Sequence, residues 1–400
     1  MEEVIVSGIA TQPGISFWHP VSGATIASVK QVHSDFRSTA YSSSFFASIH
    51  PGSPIIYLCL YGRSSPVYRC TLDIQPTSLC ISHDETLLLA GCQDGSIRIW
   101  DTSTGTLLCS SKLHFCPIKT LSTSPCGSYL ATGGVDSAVI VWNLSSLLSL
   151  YGTIDPPHPT CRHSFTSFVA PIASLIFSPS TLPPRLFAAS SDGTLAILCP
   201  VTGVSLWSFT LPEPCSSMAV DSLETCLAVG TGFGSVSMIS LTNVSLNTYP
   251  NLVKCQKSHE SEVSVVCFAE HSKRLFSGSL DGSIKSWSVN DGQCVSNVDV
   301  KGPVSCLFVI PTPSNLIDKS SKEAFVIAPL KRVSTNSSFI GVCSNDDSLS
   351  NAIVGDLTGS LVSNCSFDSS CGSQNLLNWE TEALKWKQIS QNLLSEFVEM

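Results

Sequence analysis

Arg274-Leu-Phe-Ser-Gly-Ser-Leu-Asp-Gly-Ser-Ile-Lys-Ser-Trp287 reads as a strand, a tight turn centred on Asp281 and Gly282, and a second strand. Two other stretches align with it residue for residue: Tyr129-Leu-Ala-Thr-Gly-Gly-Val-Asp-Ser-Ala-Val-Ile-Val-Trp142 and Leu87-Leu-Leu-Ala-Gly-Cys-Gln-Asp-Gly-Ser-Ile-Arg-Ile-Trp100. A weaker copy runs from Leu186 to Leu198 with Asp192 in its turn, and a degenerate one from Cys226 to Met238. Toward the N-terminus, Val4 to Ala10 followed by Ile15 to Trp18, and Ile55 to Leu60 followed by Val67 to Thr71, supply two more strand pairs and bring the total to seven. Units with a period of about forty residues, each too small to bury its own faces, gain a core by stacking on their neighbours.

A second spacing recurs alongside the first. His114, Thr132, Asp136 and Trp142 stand at the same offsets as His259, Ser277, Asp281 and Trp287. An imidazole, a hydroxyl, a carboxylate and an indole N–H so placed can satisfy one another inside a sheet, so the blade holds polar groups without leaving them unpaired. The series resembles the one that marks WD repeats, and with seven strand pairs it implies an all-β fold: a seven-bladed WD-repeat β-propeller. His, Ser and Asp also make hydrolase triads, but a triad needs an exposed nucleophile beside its base and an oxyanion hole. The strand and turn placement assigns these residues a structural role, and no residue is assigned to catalysis. Other copies keep fragments: Asp94 and Trp100 with Ala90 at the hydroxyl position, or Asp192 with Ala188 and Leu198. The first unit starts at what would be a second strand, whereas Lys301 to Ile310 looks like a first strand with no unit after it. The two ends are expected to complete one blade and so remove a sheet edge.

Composition narrows the functional classes. Of the 400 residues 43% are apolar and 13% charged; Lys and Arg total 21 and the net charge is −9, so the basic footprint of an autonomous, sequence-specific nucleic-acid binder is missing. Met1-Glu2-Glu3-Val4 has no basic region before an apolar core, and every apolar run is interrupted before it could span a bilayer. The chain is expected in the cytosol or nucleus, away from membranes. Eighteen cysteines are spread through strand-like runs (Cys59, Cys70, Cys80, Cys92, Cys267, Cys306), which suits buried free thiols better than disulfides. No Cys-x-x-Cys pair occurs, Cys365 and Cys371 have no His nearby, and no metal or other cofactor is expected. The Asn-x-Ser triplets at Asn143, Asn243, Asn336 and Asn364 lack the secretory route they would need. Gly230-Thr-Gly-Phe-Gly234 is followed by strand residues where a phosphate loop would need a helix.

The propeller is expected over 1–310. Residues 311–373, rich in Ser, Asn, Asp and Gly, read as a partly ordered extension or linker. Residues 374–400 lack Gly and Pro and carry Leu376, Trp379, Ala383, Trp386, Ser390, Leu393, Phe397 and Met400 in steps of three and four, one stripe of a C-terminal amphipathic helix. Such a helix can pack on its own propeller, dock on a partner through its two Trp, or pair with a second copy.

Several features resemble one family in particular, WD repeat-containing protein 18 and its fungal counterparts. They are the start at a second strand with Trp18 and Ser22-Gly23-Ala24, and Gly133 to Trp142 followed by a Leu-rich run and a Pro-rich insertion. Phe276 to Asp281, then Val300-Lys-Gly-Pro-Val304, a linker and a terminal helix complete the set. The resemblance covers most of the chain. It implies a non-catalytic scaffold of the nucleolus and nucleoplasm that binds helical-repeat subunits of the complex maturing the large ribosomal subunit. It further implies a role in processing the second internal transcribed spacer, indirect contact with a midasin-type ATPase on the pre-ribosomal particle, and self-association through the terminal helix. That helix departs from the pattern in being short and poor in charged flanking positions. Other WD-repeat scaffolds remain open: a modifying-enzyme subunit, a trafficking coat, or a ubiquitin-ligase substrate receptor, although Trp100-Asp101-Thr102-Ser103 lacks the Arg such receptors often carry.

Overall fold

A computed structural model describes residues 3–312 and 327–331, apart from 12, 21, 35–37, 150–159, 180–183, 242–251, 270–273 and 301. These residues form seven four-stranded antiparallel sheets arranged as the blades of a propeller. From the innermost strand outward, blade 3 is Pro76–Ile81, Leu87–Cys92, Ser96–Asp101 and Leu107–Lys112. Blade 4 is Ile118–Thr123, Tyr129–Gly134, Val139–Asn143 and His163–Phe165, with a short helix, Leu144–Leu148, before its outer strand. The other innermost strands are Thr39–Tyr41 (blade 2), Ile172–Phe177 (blade 5), Cys215–Val220 (blade 6) and Val263–Phe268 (blade 7).

Blade 1 is the seam. Its innermost strand, Val304–Pro311, comes from the far end of the repeat region and pairs antiparallel with Glu3–Ile9, Ile5 opposite Val309 and Ser7 opposite Leu307. The ring therefore closes by hydrogen bonds between its two ends, which leaves no unpaired inner edge there. Tyr41 of blade 2 stacks on Phe308 of the closing strand with ring centroids 4.4 Å apart.

The sheets are apolar on both faces because each is sandwiched between two neighbours. Leu88 and Ala90 point into the cluster shared with blade 2, while Leu89 between them points into the cluster shared with blade 4. Seven such clusters of described residues, one per blade interface, form the core. A glycine in the second strand recurs where the next blade comes closest: a Cβ on Gly91 would sit 2.7 Å from the Ile118 side chain, and one on Gly278 2.7 Å from Val304. Opposite these glycines the innermost strand bulges by one residue. Where that residue carries a hydroxyl, it reaches across to the next blade's backbone. Ser264 donates to the Val304 carbonyl at 2.6 Å, Ser216 to that of Val263 at 2.5 Å, and Thr77 to that of Ile118. On the opposite rim, Glu85 accepts from the Ser43 N–H at 2.8 Å and from the Ser43 and Ser44 hydroxyls, tying blade 3 to blade 2; Glu224 ties blade 6 to Ser178 and Arg185 of blade 5.

Residues 327–331, beyond the closing strand in sequence, lie against the propeller. Ile327, buried to 4% exposure, fills the cluster between blades 2 and 3. Ala328 N–H donates to the Thr102 carbonyl at 3.0 Å and Lys331 N–H to that of Gly105 at 2.8 Å. Part of the stretch expected as a linker is thus a strap fastened to blade 3. Gly105 sits at φ +66°, and a Cβ there would collide with the Pro329 carbonyl oxygen. The expected helix over 374–400 lies outside the described residues.

Candidate functional site

Blades 4 and 7 assemble the four-residue series the spacing pointed to. In blade 4, Trp142 Nε1 donates to Thr132 Oγ1 at 3.0 Å, His114 Nε2 lies 2.7 Å from the same oxygen, and His114 Nδ1 lies 3.0 Å from Asp136 Oδ2. In blade 7, Trp287 Nε1 donates to Ser277 Oγ at 2.9 Å. His259 Nε2 is 2.8 Å from that oxygen, and His259 Nδ1 is 2.8 Å from Ser283 Oγ and 3.3 Å from Asp281 Oδ2. Each histidine enters on the loop before the innermost strand, each hydroxyl from the second strand, each Asp from the following turn and each Trp from the third strand. One proton arrangement satisfies all of them: indole N–H to hydroxyl, hydroxyl O–H to Nε2, and Nδ1–H to carboxylate.

The chemistry of that arrangement is self-contained. Thr132 and Ser277 are 0% exposed and already accept an indole N–H, so neither oxygen faces a substrate. Burial holds the His259 imidazole below its ordinary value, outweighing the upward pull of Asp281. Burial also acts to raise Asp281, but the Ser283 hydroxyl and N–H, the Glu260 N–H and His259 together hold that carboxyl below its usual range. At neutral pH the pair is a neutral imidazole donating to a carboxylate.

The remaining blades satisfy their buried groups differently, and most of those solutions were not visible in the sequence. Blade 3 has Ala90 at the hydroxyl position, and Trp100 Nε1 donates instead to the Lys331 carbonyl of the strap at 3.1 Å. Its Asp94 accepts from Ser96 N–H and Oγ and caps its own turn, while buried Arg98 lies 3.6 Å from Asp73. In blade 1, Trp18 Nε1 donates to Ser7 Oγ at 2.7 Å, a pair eleven residues apart where blades 4 and 7 use ten. Blade 6 lacks a turn Asp, and Glu213 from the preceding loop accepts from Thr231 at 2.6 Å and Ser235 at 3.1 Å. Asp192 in blade 5 accepts from Thr194 N–H at 2.8 Å. Fourteen cysteines whose side chains are described are free; Cys59, Cys70, Cys92 and Cys306 are buried, whereas Cys80 and Cys267 are half-buried on innermost strands. Among the described residues no three His, Cys, Asp or Glu side chains could share a metal ion, and no helix is long and apolar enough to cross a membrane.

The family model described as WD domain, G-beta repeat matches residues 64–101, 105–143 and 250–288, three segments that each end one residue past Trp100, Trp142 or Trp287. WD repeat-containing protein 18 of Danio rerio is 29% identical over 266 residues, covering 64% of this chain and 60% of that protein. The chain is a seven-bladed propeller with WD repeats, similar in sequence to WD repeat-containing protein 18. The Homo sapiens protein of that name is 27% identical over 248 residues, covering 60% of this chain and 56% of its own length. Pre-rRNA-processing protein IPI3 of Candida albicans is 33% identical over 165 residues, 40% of this chain and 32% of that protein. This chain thus spans 60% or less of the length of each of these relatives. The crystal structure of the computationally designed Ika8 protein superposes with a TM-score of 0.56 at 20% identity, covering 75% of this chain and 85% of that one, a likeness of fold alone.

Proposed function

We propose that this chain is a non-catalytic WD-repeat scaffold in a ribosome-biogenesis complex, acting in maturation of the large-subunit pre-ribosome and in processing of the second internal transcribed spacer. The observation that carries the reading is the similarity over 165 residues to IPI3, a protein named for pre-rRNA processing, and over 266 residues to WD repeat-containing protein 18. The buried, mutually satisfied tetrads support a scaffold reading, because the hydroxyls that might have served as nucleophiles are occupied in tying the strands of their own blade together. Its partners in this reading are helical-repeat subunits of the complex, with the pre-ribosomal particle and a midasin-type ATPase reached indirectly, and its compartment is the nucleolus and nucleoplasm. The stripe of Leu376, Trp379, Ala383, Trp386, Leu393 and Phe397 serves as an interface helix, for a partner or a second copy.

Affinity purification of the tagged chain tests this reading. Ribosome-maturation subunits and large-subunit precursors should co-purify, and depletion should make spacer-containing precursor RNA accumulate. Recovery of a cullin adaptor or of coat proteins without ribosomal precursors contradicts it. Deleting Gln374 to Met400 should lower partner recovery or change the oligomeric state; neither changing refutes the interface helix.

A further inference from the structure

The two faces of the propeller differ over blades 4 to 6. One face is built from the loops leading into innermost strands (113–117, 166–171, 211–214 and 258–262) and from the turns between second and third strands (135–138, 191–193 and 232–234). On this face Phe115 is 95% exposed, Val169 89%, Phe233 60% and Val135 43%. These side chains form one arc. Phe115 follows His114, whose ring holds the Asp136 that follows Val135. Val169 follows Phe168, which is buried in the same core cluster as Val139 at the exit of that same turn. Loop 166–171 is tied to turn 191–193 by Ser191 N–H to the Pro171 carbonyl at 2.9 Å, and that turn to loop 211–214 by Leu211 N–H to the Gly193 carbonyl at 2.8 Å. Gly232 N–H then donates to the Pro214 carbonyl at 2.9 Å and brings Phe233 alongside.

Charge on the same arc is predominantly acidic. The seven loops and turns contain five carboxylates, Asp136, Asp192, Glu213, Glu260 and Glu262, and no Lys or Arg of their own, while Lys112 adjoins the first loop and the Lys285 ammonium, from the third strand of blade 7, donates to the Ser258 carbonyl. The opposite face of the same three blades is balanced among its described loop residues, with Arg162 and Arg185 against Asp221 and Glu224. A set of exposed apolar side chains on linked loops within a predominantly acidic face is the form of a binding surface, with the apolar groups as anchors and the field steering a partner of opposite sign.

We propose that the arc from Phe115 through Val135 and Val169 to Phe233 docks a Lys/Arg-rich protein segment carrying aromatic or aliphatic anchors. The anchors seat against the Phe and Val side chains while the basic residues are drawn to the acidic loops, at Glu260 and Glu262 above all. The surface is complete in the propeller itself and holds whichever complex the chain serves.

Short random peptides displayed on phage, selected against the full-length chain, test this directly. The recovered pool is expected to be enriched in Lys and Arg together with Phe, Trp or Leu, and to weaken as salt is raised. Binding should fall at least about tenfold on Phe115→Ser combined with Val169→Ser, the loss typical of removing central anchors. It should fall again on Glu260→Gln combined with Glu262→Gln, and be unchanged by Leu223→Ser on the opposite face. Phe115 and Val169 lie in solvent, so an unaltered melting curve shows that the variant is folded. Recovery of no peptide, of acidic or uncharged peptides, or of peptides that bind the Phe115→Ser/Val169→Ser chain as well as the parent overturns the proposal.

Discussion

Blades 4 and 7 hold their buried tryptophans by local means, and blade 3 holds its own by remote ones. Trp142 and Trp287 each donate to a hydroxyl ten residues earlier on the adjacent strand. Trp100, equally buried, donates to a carbonyl 231 residues later, on a strap beyond the closed ring. The physical requirement is the same, since a buried indole N–H without an acceptor costs about 1–3 kcal/mol. What differs is the supplier. A blade that supplies its own acceptor is self-sufficient, whereas blade 3 depends on the chain continuing past its seventh sheet.

The contrast can be broken from either side. Ser277→Ala in blade 7 leaves both Trp287 Nε1 and His259 Nε2 without a partner, two buried orphans at about 1–3 kcal/mol each, so urea unfolding should show a loss of about 3 kcal/mol or more. Ser277→Thr, the residue type found at Thr132, should retain most of the stability. Ile327→Ala empties the apolar seat of the strap between blades 2 and 3 and should cost about 2 kcal/mol, the low end for a buried isoleucine because the strap can settle into the gap. A Trp100 indole signal that exchanges faster with solvent in that variant, with Trp287 unchanged, would locate the loss in blade 3. Ser264→Ala removes a hydroxyl staple that joins blade 7 to the seam strand and should cost about 1 kcal/mol.

Acid sharpens the same comparison. His259 is held below its ordinary value of 6.5 in the folded chain, so below that pH the unfolded chain takes up its proton first and stability is lost as pH falls toward the lowered folded value. Asp281, also held low, adds a second loss at more acidic pH, as the folded chain is at last forced to protonate it. Hydrogen exchange at the Trp287 indole should therefore accelerate on mild acidification ahead of exchange at Trp100, whose acceptor is a backbone carbonyl that does not titrate.

The fold was legible because its signals are local and repeated. Asp281-Gly282 and its counterparts force the turn, alternate apolar residues such as Leu88 and Leu89 serve two neighbouring blades, and the unpaired run ending at Ile310 announced the closing strand. The tetrad residues were legible because four side chains in one blade keep fixed offsets. Ser7 escaped because a longer turn in blade 1 shifts it by one residue from the Trp18 offset. Glu213 escaped because it comes from the preceding loop, not the turn, and Lys331 because a carbonyl carries no side-chain signature at all. The staple hydroxyls had a readable signal, a Ser or Thr fourteen residues before a second-strand glycine, as in Thr77 with Gly91 and Ser264 with Gly278. Its meaning required the neighbouring blade.

The central claim, that the strap supplies what blade 3 lacks, is tested most directly by a double-mutant cycle. Urea unfolding is measured for the full chain and for a chain ending at Thr312, each with Ala90 and with Ala90→Ser, which offers Trp100 a hydroxyl on its own sheet as Ser277 does for Trp287. Supply by the strap predicts that Ala90→Ser stabilises the shortened chain by about 1 kcal/mol more than the full one, the worth of one restored hydrogen bond. An equal effect of Ala90→Ser in both chains would contradict it.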